Sequence, residues 1–240
     1  MTSNFSERVI VVAGAAGNVG QAIVQQFAGA GAKLALAEYD VKRLDYLPQS
    51  LPLDSSNSMR VMVDASNIES VQQMVEQVIH HFGKIDVLVH TVGGYAAGQP
   101  VHESGIEVWD KMIALNARST YIVTGQVAKH MVERDAGGKI ITILARNALQ
   151  GMVNAGAYSA SKAAAQRIVE SMAAELRTRG INVNGIMPGN IDTPQNREAM
   201  PDADYDTWVT TEDIANLVMF LASDKSNAIN GASIPIYGCT

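Results

Sequence analysis

The sequence predicts an α/β chain, a doubly wound parallel sheet of about seven strands with helices on both faces. Three observations carry this. Seven short apolar runs recur along the 240 residues, and strands buried on both faces have that continuous apolar character. Stretches with apolar residues at helical spacing separate the runs, and such alternation builds a parallel sheet. A glycine-rich turn joins the first run to the first helical stretch. No Pro- or Ser-rich linker divides the chain, so residues 1–240 are expected to form a single domain.

The first strand, Val9–Ala13, runs into Gly14-Ala-Ala-Gly17-Asn-Val-Gly20, which opens a helix near Val19–Ala30. Glycine there permits a tight turn and close approach of backbone to a phosphate, and the helix N-terminus adds N–H donors and a positive dipole end. Strand, turn and helix in that order fit a Rossmann-type dinucleotide cradle; a plain turn is the alternative. The second strand, Lys33–Ala37, is followed by Glu38, eighteen residues after Gly20. A carboxylate at that distance accepts from the adenosine ribose hydroxyls. It repels a 2′-phosphate by up to about 4 kcal/mol at ~4 Å and an effective dielectric near ~20. This favours NADH over NADPH, although Lys42 and Arg43 stand near enough in sequence to offset the charge.

The third strand, Arg60–Val63, leads to Asp64, either an acceptor for the adenine amino group or an ordinary turn aspartate. Ser66-x-x-Glu69 has the capping-box pattern. Ile68, Val71, Met74, Val75, Val78 and Phe82 then recur at helical spacing. The fourth strand, Val87–His90, ends in a histidine expected to be a satisfied core residue. A long helical stretch, Ile106–Arg134, carries Trp109, Met112 and Leu115 as a core stripe or subunit face. The fifth strand (Ile140–Leu144), a helix (Gly156–Arg179), the sixth strand (Asn182–Met187), a helix (Thr211–Leu221) and the seventh strand (Ser233–Ile236) complete the series. Between the last two of those strands Pro188–Val209 is irregular, with Pro194, Pro201, the acids Asp202, Asp204 and Asp206, and Trp208. Loops this long are usually functional. The segment is either a lid over a substrate or a surface excursion stapled by Trp208.

Composition narrows the function. The net charge is −6 with no basic run, which argues against nucleic-acid binding. No apolar run approaches the ~18 residues of a membrane span, and the polar stretch Met1–Arg8 is unlike a secretion signal. The single cysteine, Cys239, precludes an internal disulfide and suits a reducing, cytoplasmic compartment. His80, His81 and His102 lack metal-ligand spacing, so no metal is expected. The expected partner is a small-molecule substrate.

The chemistry concentrates in Tyr158-Ser-Ala-Ser-Lys162. Positions i and i+4 share a helix face, which brings the ammonium toward the phenol or toward something bound beside it. A free phenol titrates near ~10; a neighbouring cation lowers that and makes a general acid/base of it.

The glycine-rich turn, Asp64, Asn116, Tyr158-x-x-x-Lys162 and Pro188-Gly189 occur in the order of the short-chain dehydrogenase/reductase family, which the chain resembles over nearly its whole length. The resemblance implies an NAD(P)-dependent oxidoreductase with Tyr158 as proton donor. Lys162 would lower the Tyr158 pKa and hold the nicotinamide ribose, and Asn116 would support a relay water. It assigns cofactor contacts to Gly14, Gly17, Asn18, Val19 and Gly20, to Glu38, Asp64 and Ala65, and to Gly93. Pro188, Gly189, Ile191 and Thr193 would brace the nicotinamide end. It also implies a homodimer or homotetramer paired through the helices of 106–134 and 156–179.

Three positions depart from the family pattern. Asn18 stands where a glycine is usual, His90-Thr91-Val92-Gly93 replaces Asn-Asn-Ala-Gly, and Ala145 occupies the place of the serine thirteen residues before the tyrosine. Losing one such donor costs ~10²–10³ in rate where the chemistry depends on it. Quinonoid dihydropteridine reductases, family members that also lack the serine, are similar in Val92-Gly93-Gly94-Tyr95-Ala96-Ala97-Gly98. They are similar again from Asp192-Thr193-Pro194 to Trp208. That narrower resemblance implies a flat conjugated substrate near Tyr95, Ala145, Arg146, Asn147, Asn196 and Trp208. Arg146 or Asn147 supplying a substitute donor to an ordinary carbonyl substrate is one alternative. A catalytically silent dinucleotide-binding protein is another.

Overall fold

The computed structural model describes residues 5–239, so Met1–Asn4 of the polar N-terminal stretch lie outside the described residues. Seven strands form one parallel sheet in the order β3-β2-β1-β4-β5-β6-β7. They are β1 (Val9–Ala13), β2 (Lys33–Glu38), β3 (Ser58–Met62), β4 (Val87–His90), β5 (Gly138–Ile143), β6 (Ile181–Pro188) and β7 (Ser233–Ile236). Several strands extend a residue or two beyond their apolar runs. Polar or conformationally special residues such as Ser58, Gly138 and Pro188 are there carried into the ladder by their neighbours.

Strand alternation divides the core in two. Val9, Val11 and Ala13 of β1 face helices α2 (Ile68–Phe82), α4 (Ser119–Arg134) and α5 (Gly156–Leu176). Ile10 and Val12 face α1 (Asn18–Gly29) and α7 (Thr211–Ala222). Burial on both faces is why β1 and β4 read as unbroken apolar runs, and it supplies the main stabilisation at about 25 cal/mol per Å² of apolar surface. The order reverses between β1 and β4, the topological switch point at which ligands of such sheets sit.

Three local expectations are corrected. The stretch 106–134 is not one continuous α-helix: α3 (Ile106–Met112) passes through a π-helical turn, Ile113–Arg118, into α4. Asn116 lies inside that turn, and such bulges often mark functional positions. Ser66 does not cap α2. Asn67 does, accepting from the Ser70 N–H, while the Ser66 hydroxyl, one residue before the cap, donates to Asp64. The segment 188–209 is not irregular throughout. It contains a short helix α6 (Pro194–Ala199), capped by Thr193, and a 3-10 turn, Tyr205–Thr207.

Candidate active site

The glycine-rich turn is built around close backbone approach. Gly14 has φ +85°, and a Cβ there would lie 2.6 Å from the Thr91 hydroxyl. A Cβ on Gly20 would collide with the Gly14 carbonyl. Gly17 stands at the N-cap of α1 without any side-chain cap, and the first turn has no acidic residue. Its leading N–H groups are therefore suited to an external anion such as a pyrophosphate. Thr91 donates to the carbonyls of Ala13 and Gly14 at 2.8 and 3.0 Å and pins the turn to β4. Sequence reasoning noted Thr91 only as a departure; its hydroxyl beside β1 was not legible without the strand order.

Glu38 is buried at the end of β2. Its carboxylate accepts from the Ala16 and Tyr39 N–H groups, both at 3.0 Å, and Arg43 stands 3.6 Å away. The acid expected at the ribose thus also braces the phosphate turn. Asp64 accepts from the Ser66 N–H and hydroxyl at 2.9 and 2.7 Å, as a turn aspartate does, with buried Ala65 beside it.

Around Tyr158 the chain brings four distant segments together. A Cβ on Gly93 would lie 2.8 Å from Asn116 Oδ1 and 3.2 Å from Lys162 Nζ. Asn116 Oδ1 accepts from the Gly94 N–H, while its amide donates to the Gly94 carbonyl and to Ser161 Oγ, all at 3.0 Å. Ser161 in turn donates to the Tyr158 carbonyl at 2.7 Å. Asn116 therefore holds the loop carrying Tyr95 against the helix carrying Tyr158. Its own carbonyl accepts from Thr120 Oγ1 at 2.6 Å. Ser161 was also missed; within the Tyr-to-Lys motif it looked like a spacer.

Tyr95, 62% exposed, meets Tyr158 edge to face with ring centroids 4.8 Å apart, a favourable aromatic geometry. The expectation that Lys162 lowers the Tyr158 pKa is not met. Burial, with Tyr95 adding to it, pushes the phenol up to about 12. Burial also brings the Lys162 amine down to about 8, and its Nζ donates to the Ile143 carbonyl at 3.0 Å. Desolvation disfavours both charged forms, so the Tyr158 phenol keeps its proton at neutral pH.

His90 is fully buried, with its Nε2 3.3 Å from Ser119 Oγ. That hydroxyl donates to the Leu115 carbonyl, so Nε2 carries the proton. Burial, with the Lys162 charge adding to it, depresses the His90 pKa to about 3. The unfolded chain, with a pKa near 6.5, takes up this proton first. The native state is accordingly at full strength above pH ~6.5 and weakens by about 1.4 kcal/mol per pH unit below it. Between pH 6.5 and 4.5, His90→Gln should flatten the fall of melting temperature with pH relative to the parent. Identical slopes would contradict this.

Ala145 continues from β5 in extended conformation, buried, with no side-chain donor to offer. The Arg146 guanidinium lies over the Tyr237 ring, 5.1 Å from the centroid. Asn147 donates to the Met152 sulfur at 3.5 Å. In 188–209, Asn196 donates to the Ile191 carbonyl, Arg197 makes a bidentate pair with Asp192 and covers the Tyr205 ring, and buried Trp208 packs on Tyr205. These contacts lie within the segment itself. Gly189 donates to the Ile236 carbonyl at 2.9 Å, following Pro188 at the end of β6. A cavity of about 500 Å³ opens between residues 96–109 and 154–157, with walls that include Ala96, Val101, Ile106, Trp109 and Ala157 and no charged side chain.

The short-chain dehydrogenase model matches residues 8–204, spanning the turn, the tyrosine–lysine pair and most of the 188–209 segment. The chain belongs to the short-chain dehydrogenase/reductase family. It is 31% identical to 3beta-hydroxysteroid dehydrogenase 2 of Eggerthella lenta, covering 95% of this chain and 92% of that protein. It is 30% identical to D-threitol dehydrogenase of Mycolicibacterium smegmatis, covering 96% and 92%. A solved short-chain type dehydrogenase/reductase from Mycobacterium ulcerans superimposes with TM-score 0.92 at 26% identity, covering 98% of this chain and 90% of that one. Family membership makes this chain an oxidoreductase. Among the described residues no group of three His, Cys, Asp or Glu side chains is placed to hold a metal. No described helix is long and apolar enough to cross a membrane.

Proposed function

We propose that this chain is an NAD(P)-dependent oxidoreductase of one dinucleotide-binding domain in which Tyr158 gives a proton to a small conjugated or carbonyl substrate. The observation that carries the reading is the convergence of Gly93 with Asn116 and the buried Lys162 amine, on the helix whose Tyr158 meets Tyr95 edge to face. A nicotinamide dinucleotide supplies or accepts the hydride when bound. The uncapped α1 N-terminus fits its pyrophosphate, Glu38 its adenosine ribose, and Lys162 with Gly93, Pro188, Gly189 and Thr193 its nicotinamide end. Lys162 holds and orients; Tyr158, kept neutral by burial, donates; Asn116 fixes the Tyr95 loop against the helix that carries both. Glu38 favours NADH, and Arg43 beside it lessens the preference.

For the substrate we favour a quinonoid dihydropterin-like ring. Its reduction adds the proton to a ring nitrogen, so no alkoxide develops that would need a donor at Ala145, and exposed Tyr95 offers an aromatic edge beside Tyr158. A general alcohol or ketone substrate is the second reading, favoured by the uncharged cavity beside the tyrosine pair. Segment 188–209 serves as the lid in both. Exposed Ile106, Trp109 and Tyr121 on α3 and α4 accord with a homodimer, and the exposed Cys239 thiol accords with a reducing, cytoplasmic setting. The test is a steady-state screen of NADH and NADPH with quinonoid dihydropterin, quinones, ketones and aldehydes. NADH-dependent turnover of the pterin is expected. Turnover of ketones alone would transfer the assignment to the second reading, and no turnover with any class would refute both.

A further inference from the structure

The Asn18 amide donates to Gln195 Oε1 at 2.7 Å, joining residues 177 positions apart. Asn18 is the first residue of α1, directly after the uncapped Gly17. Gln195 is the second residue of α6, which hangs from the end of β6 through residues 189–193. In the sheet β1 and β6 are separated by β4 and β5, three strand spacings of ~4.8 Å or about 14 Å. The bond therefore closes an arch over the carboxyl ends of β4 and β5, where Gly93, Lys162 and Ala145 lie. Both side chains are exposed, so core packing does not force them together.

The remainder of the segment behaves as one stapled piece. Arg197 binds Asp192, Tyr205 donates to the carbonyls of Met200 and Pro201, and Trp208 packs on Tyr205. An isolated bridge between Ile191 and Val209 fastens its base. A piece that is stapled within and anchored at its base opens most readily where an exposed hydrogen bond, here Asn18 to Gln195, holds its free end.

We propose that Asn18 and Gln195 form a clasp that closes α6 over the dinucleotide cleft and slows release of the bound cofactor. Asn18 replaces the glycine usual at this turn position, so the clasp is a device of this chain's own residues. It rests on the proposed cofactor reading: a ligand lying along the α1 N-terminus leaves only when the arch is open. The two residues position and retain the cofactor and take no part in proton transfer.

The experiment measures NADH release by stopped-flow fluorescence on displacement, for the parent, Asn18→Ala, Gln195→Ala and the double variant. Each single change should speed release by about three- to tenfold, as loss of one exposed hydrogen bond allows, and the double variant should be no faster than the faster single. The melting temperature of each cofactor-free variant checks that the fold is intact. Unchanged release in Gln195→Ala, or effects that multiply in the double variant, would overturn the clasp while leaving the cofactor assignment standing. If NADH and NADPH both fail to bind the parent, the cofactor assignment itself fails, and the clasp with it.

Discussion

Replacing Tyr158 with Phe should lower kcat by about 10²–10⁴, the range a positioned proton donor contributes, and leave the NADH dissociation constant within about twofold of the parent. The substitution removes one oxygen and retains the ring that meets Tyr95 edge to face at 4.8 Å, so the surrounding packing survives. The pH profile sharpens the expectation. With its pKa pushed up to about 12 by burial, the phenol keeps its proton throughout the working range. The reductive direction therefore does not lose its acid below pH 10. The oxidative direction needs the scarce phenolate, and its kcat/KM should keep rising with pH up to at least 10. Lys162, brought down to about 8, loses its charge within that range and should add a separate inflection, absent from Lys162→Met. Undiminished turnover in Tyr158→Phe would remove the tyrosine from the mechanism and favour a silent, cofactor-binding role.

Introducing a hydroxyl at position 145 should separate the two substrate readings. Ala145 is buried in extended backbone, φ −161° and ψ 157°, a conformation serine adopts without strain. A hydroxyl there offers the donor that a developing alkoxide needs, and one such donor is worth up to ~10²–10³ in rate. Ala145→Ser should therefore raise kcat/KM for a ketone by roughly ten- to a hundredfold. For a quinonoid dihydropterin, whose new proton goes to nitrogen, it should change little. Equal gains on both substrates would show that the serine acts on packing rather than on charge at oxygen.

The central strands were legible because burial on both faces demands continuous apolar sequence, and β1 and β4 have the bounds their residues announce. The ends of β3, β5 and β6 were less legible. Lys139 reads as polar, yet it is buried, with its amine held by Asn182 and Asn227. The π-helical turn at Ile113–Arg118 was invisible because one extra residue in a turn hardly disturbs the apolar periodicity on either side. Ser66 resembled a cap by spacing, but the helix begins one residue later, so Asn67 holds the cap position and accepts from the Ser70 N–H. Asn196, Arg197 and Trp208 carried a motif without revealing its purpose. The structure spends their polar and aromatic groups within the segment itself.

What the sequence by itself determined is what depends on neighbours along the chain: the seven-stranded alternation, the glycine turn, and the tyrosine and lysine one helical turn apart. The tertiary structure alone decided that Asn116 grips Gly94 and Ser161, that Thr91 pins the phosphate turn, that Asn18 reaches Gln195, and that Arg146 turns to Tyr237. It also decided the protonation of Tyr158, Lys162 and His90. The physical reason is that a pKa sums desolvation and charge over everything within several ångströms. A hydrogen bond, likewise, goes to whichever partner folding brings within reach, and separation along the chain fixes neither quantity.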